Sequence, residues 1–179
     1  MPVKYIVLVF CMPVILACNI QFEIPKSVPE PTEEVSTDND SKTPNPAASW
    51  ENDLLDMVND LRKSGCRCGN KSMKPVAPLA LHTDLNKIAQ THADDMYINR
   101  FFSHTGSDGS QVSDRATKVG FNWSNIGENI SQGYPTVESA FNGWKNSSGH
   151  CKNMMSPDFK LMGAAQKGSY WVQTFGNAR

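Results

Sequence analysis

The sequence lacks the features that define several large classes of protein. After residue 17 it has no apolar run long enough to cross a membrane, and it has no internal repeat. Its net charge is −1, from 17 basic and 18 acidic side chains scattered along the chain. Nucleic-acid-binding proteins concentrate basic residues on one face, so we expect no nucleic-acid partner. No serine stands in the glycine-flanked turn that presents the nucleophile of α/β-hydrolases.

The first 17 residues have the pattern of an export signal. Lys4 precedes an apolar run over residues 5–17, which is too short to form a permanent membrane helix. The run ends in Ile15-Leu16-Ala17-Cys18, which resembles a bacterial lipobox, where the cysteine is acylated and becomes the new N-terminus. We therefore expect an envelope lipoprotein held at the membrane by Cys18. An ordinary cleaved signal peptide, which would give a secreted soluble protein, is the alternative.

Residues 18–49 are predicted to form a disordered tether. They are rich in Pro, Glu, Ser, Thr and Asp and have almost no large apolar side chains after Ile24. Such a segment buries too little apolar surface to offset the entropy of ordering it. Residues 50–179 carry a charge of about +2 and have the length of one domain with one core. We expect this domain to be a monomer.

Three cysteines lie in the predicted domain, and an exported protein is expected to form disulfides. Cys66 and Cys68 are too close for an unstrained bond with each other, but either could pair with Cys151. We expect Cys68–Cys151, although the spacing leaves both pairings open, and one cysteine is left over. Closing the long loop would contribute ~4 kcal/mol by the loop-entropy model. A zinc site of the three cysteines and His150 is the alternative.

Helical periodicity dominates the domain, and short strands cluster near its end. Ser49 is a candidate cap and Gly65 a stop signal for the first helix, and Pro75 and Pro78 predict an extended loop over 71–81. Helices are predicted over 50–64, 82–101, 111–120 and 135–146, and strands over 128–131, 161–166 and 170–175, with a turn at 167–169. This pattern predicts an α+β fold in which a small sheet packs between helical layers.

Polar and titratable side chains gather between residues 102 and 151. His104, Asp108, Asp114, Glu128 and His150 lie beside glycines and between apolar helices. Such groups are costly to bury together unless they satisfy one another or bind something. Two histidines and a glutamate that converge would form a metal site, an acid/base site or a hydrogen-bonded structural cluster.

The order FSH (102–104), GEN (127–129), SGH (148–150) and YWVQTFG (170–176) resembles the CAP superfamily of cysteine-rich secretory, antigen 5 and pathogenesis-related proteins. The likeness covers nearly all of residues 50–179 and is strongest to bacterial members. It implies an α-β-α sandwich with a small antiparallel sheet. It also implies a central cavity that holds two histidines and two glutamates, which bind zinc or another divalent ion in several members.

Carried over to this sequence, the family's histidines are His104 and His150, and its first glutamate is Glu128. The position of the second glutamate, three residues after Trp144, holds Ser147. Serine is a poor neutral ligand for a divalent ion. Zinc would therefore need His104, His150, either Glu128 or Asp108, and a water molecule to reach four ligands.

Structural roles are expected for several neighbouring residues. Asp108 is assigned to a turn, Asp114 to a helix cap, and Arg115 to an ion pair with either acid. Asn129 should point to the opposite strand face from Glu128. Core positions are predicted for His92, Trp123, Trp144, Trp171 and Phe175.

These observations favour a non-catalytic binding module of the cell envelope that takes a lipid, a glycan or a protein ligand in a cavity around His104, Glu128, Ser147 and His150. No cofactor is required for such a role. The alternative is a hydrolase, either a peptidase or an esterase. In it His104, Glu128 and His150 would act as base, orienting group and acid, or would activate water through a bound metal.

Overall fold

The computed structural model describes residues 49–179. The predicted export signal, Cys18 and almost all of the tether lie outside the described residues. The described helices are α1 Trp50–Ser64, α2 Thr83–Asn99, α3 Val112–Val119, α4 Val137–Asn146 and α5 Ser148–Met154. The strands are β1 Cys66–Cys68, β2 Lys71–Met73, β3 Ala80–Leu81, β4 Trp123–Gln132, β5 Leu161–Lys167 and β6 Tyr170–Ala178. No helix in this part of the chain is long and apolar enough to cross a membrane.

Four of the five helices are those that the periodicity predicts, and α1 has the predicted bounds. The side chain of Ser49 makes no capping hydrogen bond, although the residue occupies the cap position. The helix after it, α2, ends at Asn99 rather than at 101, because Arg100 turns into the left-handed conformation with φ 56°. Gly120 ends α3 in the same way, with φ 82°.

The fifth helix, α5, and three short strands were not predicted. The segment assigned to a loop, 71–81, contains β2 and β3 at its two ends. One of these, β2, forms a two-stranded hairpin with β1, in which Cys66 lies opposite Met73. Three-residue strands are too short to show an alternating pattern in sequence.

The main sheet has the strand order β3-β5-β6-β4. Its three long strands are antiparallel, as predicted, and the two-residue β3 pairs in parallel with β5. The turn at 167–169 joins β5 to β6, as expected from Lys167-Gly168-Ser169. The α+β prediction is confirmed.

Helices cover both faces of this sheet. On one face, Met162, Ala164, Trp171 and Phe175 pack with buried side chains of α1, α4 and α5. On the other, Ile130, Ala165 and Val172 pack with Ala89, Ala93 and Met96 of α2. The sandwich therefore has α1, α4 and α5 as one outer layer and α2 and α3 as the other. Trp144, Trp171 and Phe175 are buried in its core, as predicted, whereas Trp123 is only partly buried.

Close contact between α2 and β5 fixes the helix that leads to His104. Gly163 leaves no room for a side chain, since an added Cβ would clash with the backbone of Leu85 and Asn86. Asn86 Oδ1 accepts a hydrogen bond from the backbone of Ala164 at 2.9 Å, and Thr174 Oγ1 donates to the carbonyl of Leu85 at 2.8 Å. The first turn of α2 is therefore held firmly against the sheet.

Candidate functional site

His104 lies in the segment between α2 and α3, with its ring half-exposed. Its Nδ1 is 2.8 Å from Glu128 Oε1, and its side chain is 53% exposed. Because Nδ1 faces the carboxylate, Nε2 is the ring nitrogen left for other partners. A carboxylate that accepts from one imidazole nitrogen fixes both the ring orientation and its tautomer.

Glu128 is buried on β4, on the face of the sheet that α2 and α3 cover. Its second oxygen, Oε2, accepts a hydrogen bond from Arg115 Nη2 at 2.8 Å. Arg115 is also buried, and it donates to the carbonyl oxygens of Ser110 and His104 at 2.9 and 3.2 Å. The Glu128 carboxylate is therefore paired with a buried guanidinium and engaged at both oxygens.

The predicted ion pair of Arg115 with Asp108 or Asp114 is wrong, because the acid that Arg115 contacts is Glu128. Asp108 Oδ1 accepts from the backbone of Ser110 at 2.9 Å, which is the predicted turn role. Asp114 Oδ2 accepts from the backbone of Gln111 at 2.8 Å in a reciprocal cap, also as predicted. Both acids are satisfied locally, so the guanidinium reaches across to Glu128, 13 residues further along the chain.

His92 lies behind this pair and is completely buried, as predicted for a core histidine. Its Nε2 is 2.8 Å from the Ser103 carbonyl and 3.8 Å from Glu128 Oε1, while Nδ1 has no partner. Burial lowers the pKa of His92, and Arg115 lowers it further, against the opposite effect of Glu128. A neutral ring that donates from Nε2 fits these contacts.

His150 lies in α5 and directly precedes Cys151, which forms a disulfide. Burial lowers its pKa, and the nearby His104 lowers it further. Cys151 is bonded to Cys68, with 5.4 Å between the two Cα atoms, and Cys66 is a free thiol. The expected Cys68–Cys151 bridge is thus present, and it ties the short helix of His150 to the β1–β2 hairpin.

Asn129 connects the same helix to the sheet from the opposite strand face. Its Nδ2 donates to the carbonyl of His150 at 3.2 Å and to Gln173 Oε1 at 3.1 Å. Asn153 donates to Asn129 Oδ1 at 2.9 Å and to the carbonyl of Glu128 at 3.2 Å. The prediction that Asn129 satisfies backbone groups on the face opposite Glu128 is confirmed.

An open cleft of about 530 Å³ brings the two histidines together. We call it the histidine cleft. None of its lining residues carries a formal charge when the histidines are neutral. They are Phe102, Ser103, His104, Ile130, Ser131, Gln132, Tyr134 and His150. Glu128 and Ser147 are not among them, because Glu128 is buried behind His104 and Ser147 lies at the junction of α4 and α5.

Polar groups of the cleft differ in how well they are satisfied. Ser103 Oγ accepts from the backbone of Thr105 at 3.0 Å, whereas Ser131 Oγ is buried with no hydrogen-bond partner. Buried polar groups without a partner are uncommon and need an explanation. Neither serine hydroxyl is hydrogen-bonded to a histidine, and no sequence signal pointed to Ser131.

The residues present do not fit a zinc ion held by four protein ligands. His104 and His150 offer imidazole nitrogens, but both oxygens of Glu128 are engaged and Asp108 is held in its own turn. In the described part of the chain, three metal-binding atoms lie within 4.8 Å of one another only at Cys66, Cys68 and Cys151. Two of those sulfurs are joined in the disulfide.

Comparison with known proteins agrees with this architecture. The model of the CAP family, described as the cysteine-rich secretory protein family, matches residues 55–175. The uncharacterized protein YkwD of Bacillus subtilis is 28% identical over 142 residues, which are 78% of this chain and 51% of YkwD. The uncharacterized membrane protein YlbC of the same organism is 29% identical over 126 residues, 70% of this chain and 34% of YlbC. The chain thus spans about half the length of YkwD and about a third of the length of YlbC.

Two solved structures share the fold. An extracellular protein of Bacillus anthracis that contains an SCP domain superposes with a TM-score of 0.64 at 25% identity, over 72% of this chain and 40% of that one. An outer surface protein of Borrelia burgdorferi superposes with a TM-score of 0.61 at 21% identity, over 70% of this chain and 90% of that one. Both proteins are extracellular or surface proteins by name.

Proposed function

Because this chain belongs to the CAP family of cysteine-rich secretory proteins, we propose that it is an exported, non-catalytic binding module of the cell envelope whose ligand enters the histidine cleft. In this proposal residues 1–17 direct export, and a lipid on Cys18 holds the domain at the membrane through the tether. The extracellular and surface proteins that share its fold support export.

The non-catalytic role rests on one observation, that neither Glu128 nor a serine hydroxyl of the cleft is placed to act as base or nucleophile. A general base needs a lone pair within reach of substrate and a pKa suited to proton transfer. Glu128 is buried, and its two oxygens bond to His104 and Arg115 at 2.8 Å each. The hydroxyl groups of Ser103 and Ser131 line the cleft without a hydrogen bond to a histidine, so neither is activated as a nucleophile.

The lining of the cleft favours an uncharged ligand. None of its side chains is an acid, a lysine or an arginine, so apart from the two histidines it offers no ion-pair partner to a charged ligand. Phe102 is 49% exposed at its rim and provides an apolar ring face. Ser131, Gln132 and Tyr134 add neutral hydrogen-bonding groups. Aromatic faces combined with neutral polar groups suit an uncharged glycan fragment, which is the ligand that we propose.

A titration with an uncharged N-acetylglucosamine trisaccharide tests this proposal on the full-length protein. We expect NMR shifts at His104 and His150 and weaker binding in Phe102→Ala. Tyr97→Ala is the matched control, because Tyr97 is equally exposed at 48% but does not line the cleft. Saturable binding that Phe102→Ala leaves unchanged would place the ligand elsewhere. Binding of neutral lipid vesicles but of no sugar would replace the glycan with a lipid.

The hydrolase is the second candidate, and one contact favours it. Glu128 holds His104 through Nδ1 and leaves Nε2 free toward the half-exposed side, which is how an orienting carboxylate supports a histidine base. In that case Nε2 of His104 would take a proton from water or from a substrate group. An assay against peptide and ester substrates with His104→Ala separates this role from simple binding.

A further inference from the structure

The sulfur atom of Cys66 lies against the disulfide that ties α5 to the β1–β2 hairpin. Cys66 Sγ is 3.7 Å from Cys68 Sγ and 3.7 Å from Cys151 Sγ. Cys66 and Cys68 are two residues apart on β1, so their side chains share one strand face. Cys66 is half-buried, whereas both bonded cysteines are completely buried.

We propose that Cys66 is the attacking thiol of a disulfide-exchange site, in which Cys151 alternates between Cys68 and Cys66. Cys66 gives its proton to solvent, and its thiolate attacks Cys151 Sγ. The Cys66–Cys151 bond forms, the Cys68–Cys151 bond breaks, and Cys68 leaves as a thiolate that takes up a proton. One disulfide and one thiol are present before and after, so the step needs no oxidant or reductant.

The resting geometry requires a movement of the Cys66 side chain before this step. Equal distances to both sulfurs place the Cys66 thiol beside the middle of the bond, whereas thiolate attack proceeds along the line of the bond being broken. Rotation of the half-exposed Cys66 side chain about χ1 brings its sulfur toward that line. Staggered side-chain positions are separated by such rotations in any cysteine.

The surroundings of Cys66 make exchange dependent on pH. Burial raises the pKa of its thiol, and the ammonium group of Lys145 acts in the opposite direction. Only the thiolate attacks a disulfide. Below the thiol pKa the rate should therefore rise about tenfold for each unit of pH.

Exchange would also alter the histidine cleft. Moving the bond from Cys68 to Cys66 shifts the attachment point of α5 by two residues along β1, between sulfur atoms that lie 3.7 Å apart in the resting structure. His150 directly precedes Cys151 and lines the cleft. The two disulfide isomers should therefore differ in the position of His150.

Trypsin allows a direct test on the full-length protein. It cleaves after Lys63, Arg67, Lys71, Lys145 and Lys152, so each of the three cysteines falls in its own peptide: 64–67, 68–71 and 146–152. The folded protein is incubated at pH 7, 8 and 9, free thiols are blocked with N-ethylmaleimide under acidic quench, and the peptides are identified by mass spectrometry.

We expect peptide 146–152 joined to 68–71 as the main species, together with a fraction joined to 64–67 that appears faster as pH rises. The variant Cys66→Ser should show only the first species. Cys68→Ser should join 64–67 to 146–152, with its fold confirmed by circular dichroism. The proposal is overturned if wild-type protein at pH 9 shows only the Cys68–Cys151 species and Cys66 is the only one of the three cysteines that is blocked. This outcome does not depend on whether Cys68→Ser folds.

Discussion

Arg115 Nη2 on α3 lies 2.8 Å from Glu128 Oε2 on β4, and the two side chains are only 5% and 2% exposed. Removing one member of such a buried pair leaves the other charge without compensation, at a cost of about 3–5 kcal/mol. We expect Arg115→Ala to lower the free energy of unfolding by about this amount in urea denaturation. Lys87→Ala is the control, because it removes an exposed pair with Asp84 that is worth about 0–1 kcal/mol. Equal effects of the two variants would show that the buried pair has no special role.

Stability should fall as the pH drops below neutrality. The pKa values of His92 and His150 are lower in the folded protein than the ordinary value of about 6.5. Between the folded and the ordinary value, the unfolded chain binds more protons than the folded one, so acid favours unfolding. The contribution of the two histidines to the free energy of unfolding should therefore decrease from pH 7.5 downward through 6.5 and be fully lost below their folded pKa values.

Urea denaturation at a series of pH values measures this slope. His150→Asn should reduce it, while Gln90→Ala, which removes an exposed amide bonded to Asp94, should leave it unchanged. The expectation would be contradicted if the free energy of unfolding of the wild-type protein stayed constant or increased as the pH was lowered from 7.5 to 5.5.

The three cysteines should differ in their contributions to stability. The disulfide closes a loop with a sequence separation of 83, and such a loop corresponds to about 4 kcal/mol in the loop-entropy model. Cys151→Ser removes every pairing and should lose this full amount. Cys68→Ser should lose less, because Cys66 can replace Cys68 as the partner. Thermal unfolding of the two variants would contradict this order if they were equally destabilised.

Catalysis through His104 is expected to be absent. Positioned acid/base groups contribute about 10²–10⁴ in rate, so a hydrolase role would show as a loss of that size in His104→Ala. We expect the purified protein to hydrolyse peptide and ester substrates no faster than His104→Ala does. His82→Ala is the control, since His82 caps α2 and does not line the cleft. A hundredfold loss of turnover specific to His104→Ala would establish the hydrolase instead.

Membrane attachment is expected to depend on Cys18. Labelling of expressing bacteria with a fatty-acid analogue should mark the wild-type protein, and Cys18→Ala should abolish the label. Release of wild-type and variant protein into the medium in equal amounts would favour the secreted soluble form.

Local patterns in the sequence predict the longer helices and strands. The predictions fail where an element is short or where two contacting residues lie far apart in the sequence. Apolar spacing gives α1 its bounds, and the Lys167-Gly168-Ser169 turn gives the β5–β6 hairpin. The last short helix, α5, has only seven residues and includes Gly149, so it has too few turns to show a stripe. The pairing of Arg115 with Glu128 cannot be predicted from the sequence because two other acids, Asp108 and Asp114, lie nearer to Arg115 along the chain. Only the backbone contacts of those acids show why Arg115 reaches further.

Glu128 and Asn129 are adjacent on β4 and point to opposite faces of the sheet. Glu128 bonds toward α3 through Arg115, while Asn129 bonds to the carbonyl of His150 in α5. Loosening of either helical layer would therefore remove hydrogen bonds from the same two residues. In amide hydrogen exchange, the centre of β4 should open together with α3 and α5 as a single cooperative unit. The two histidines of the cleft, one held from each layer, would then lose their arrangement in one event rather than separately.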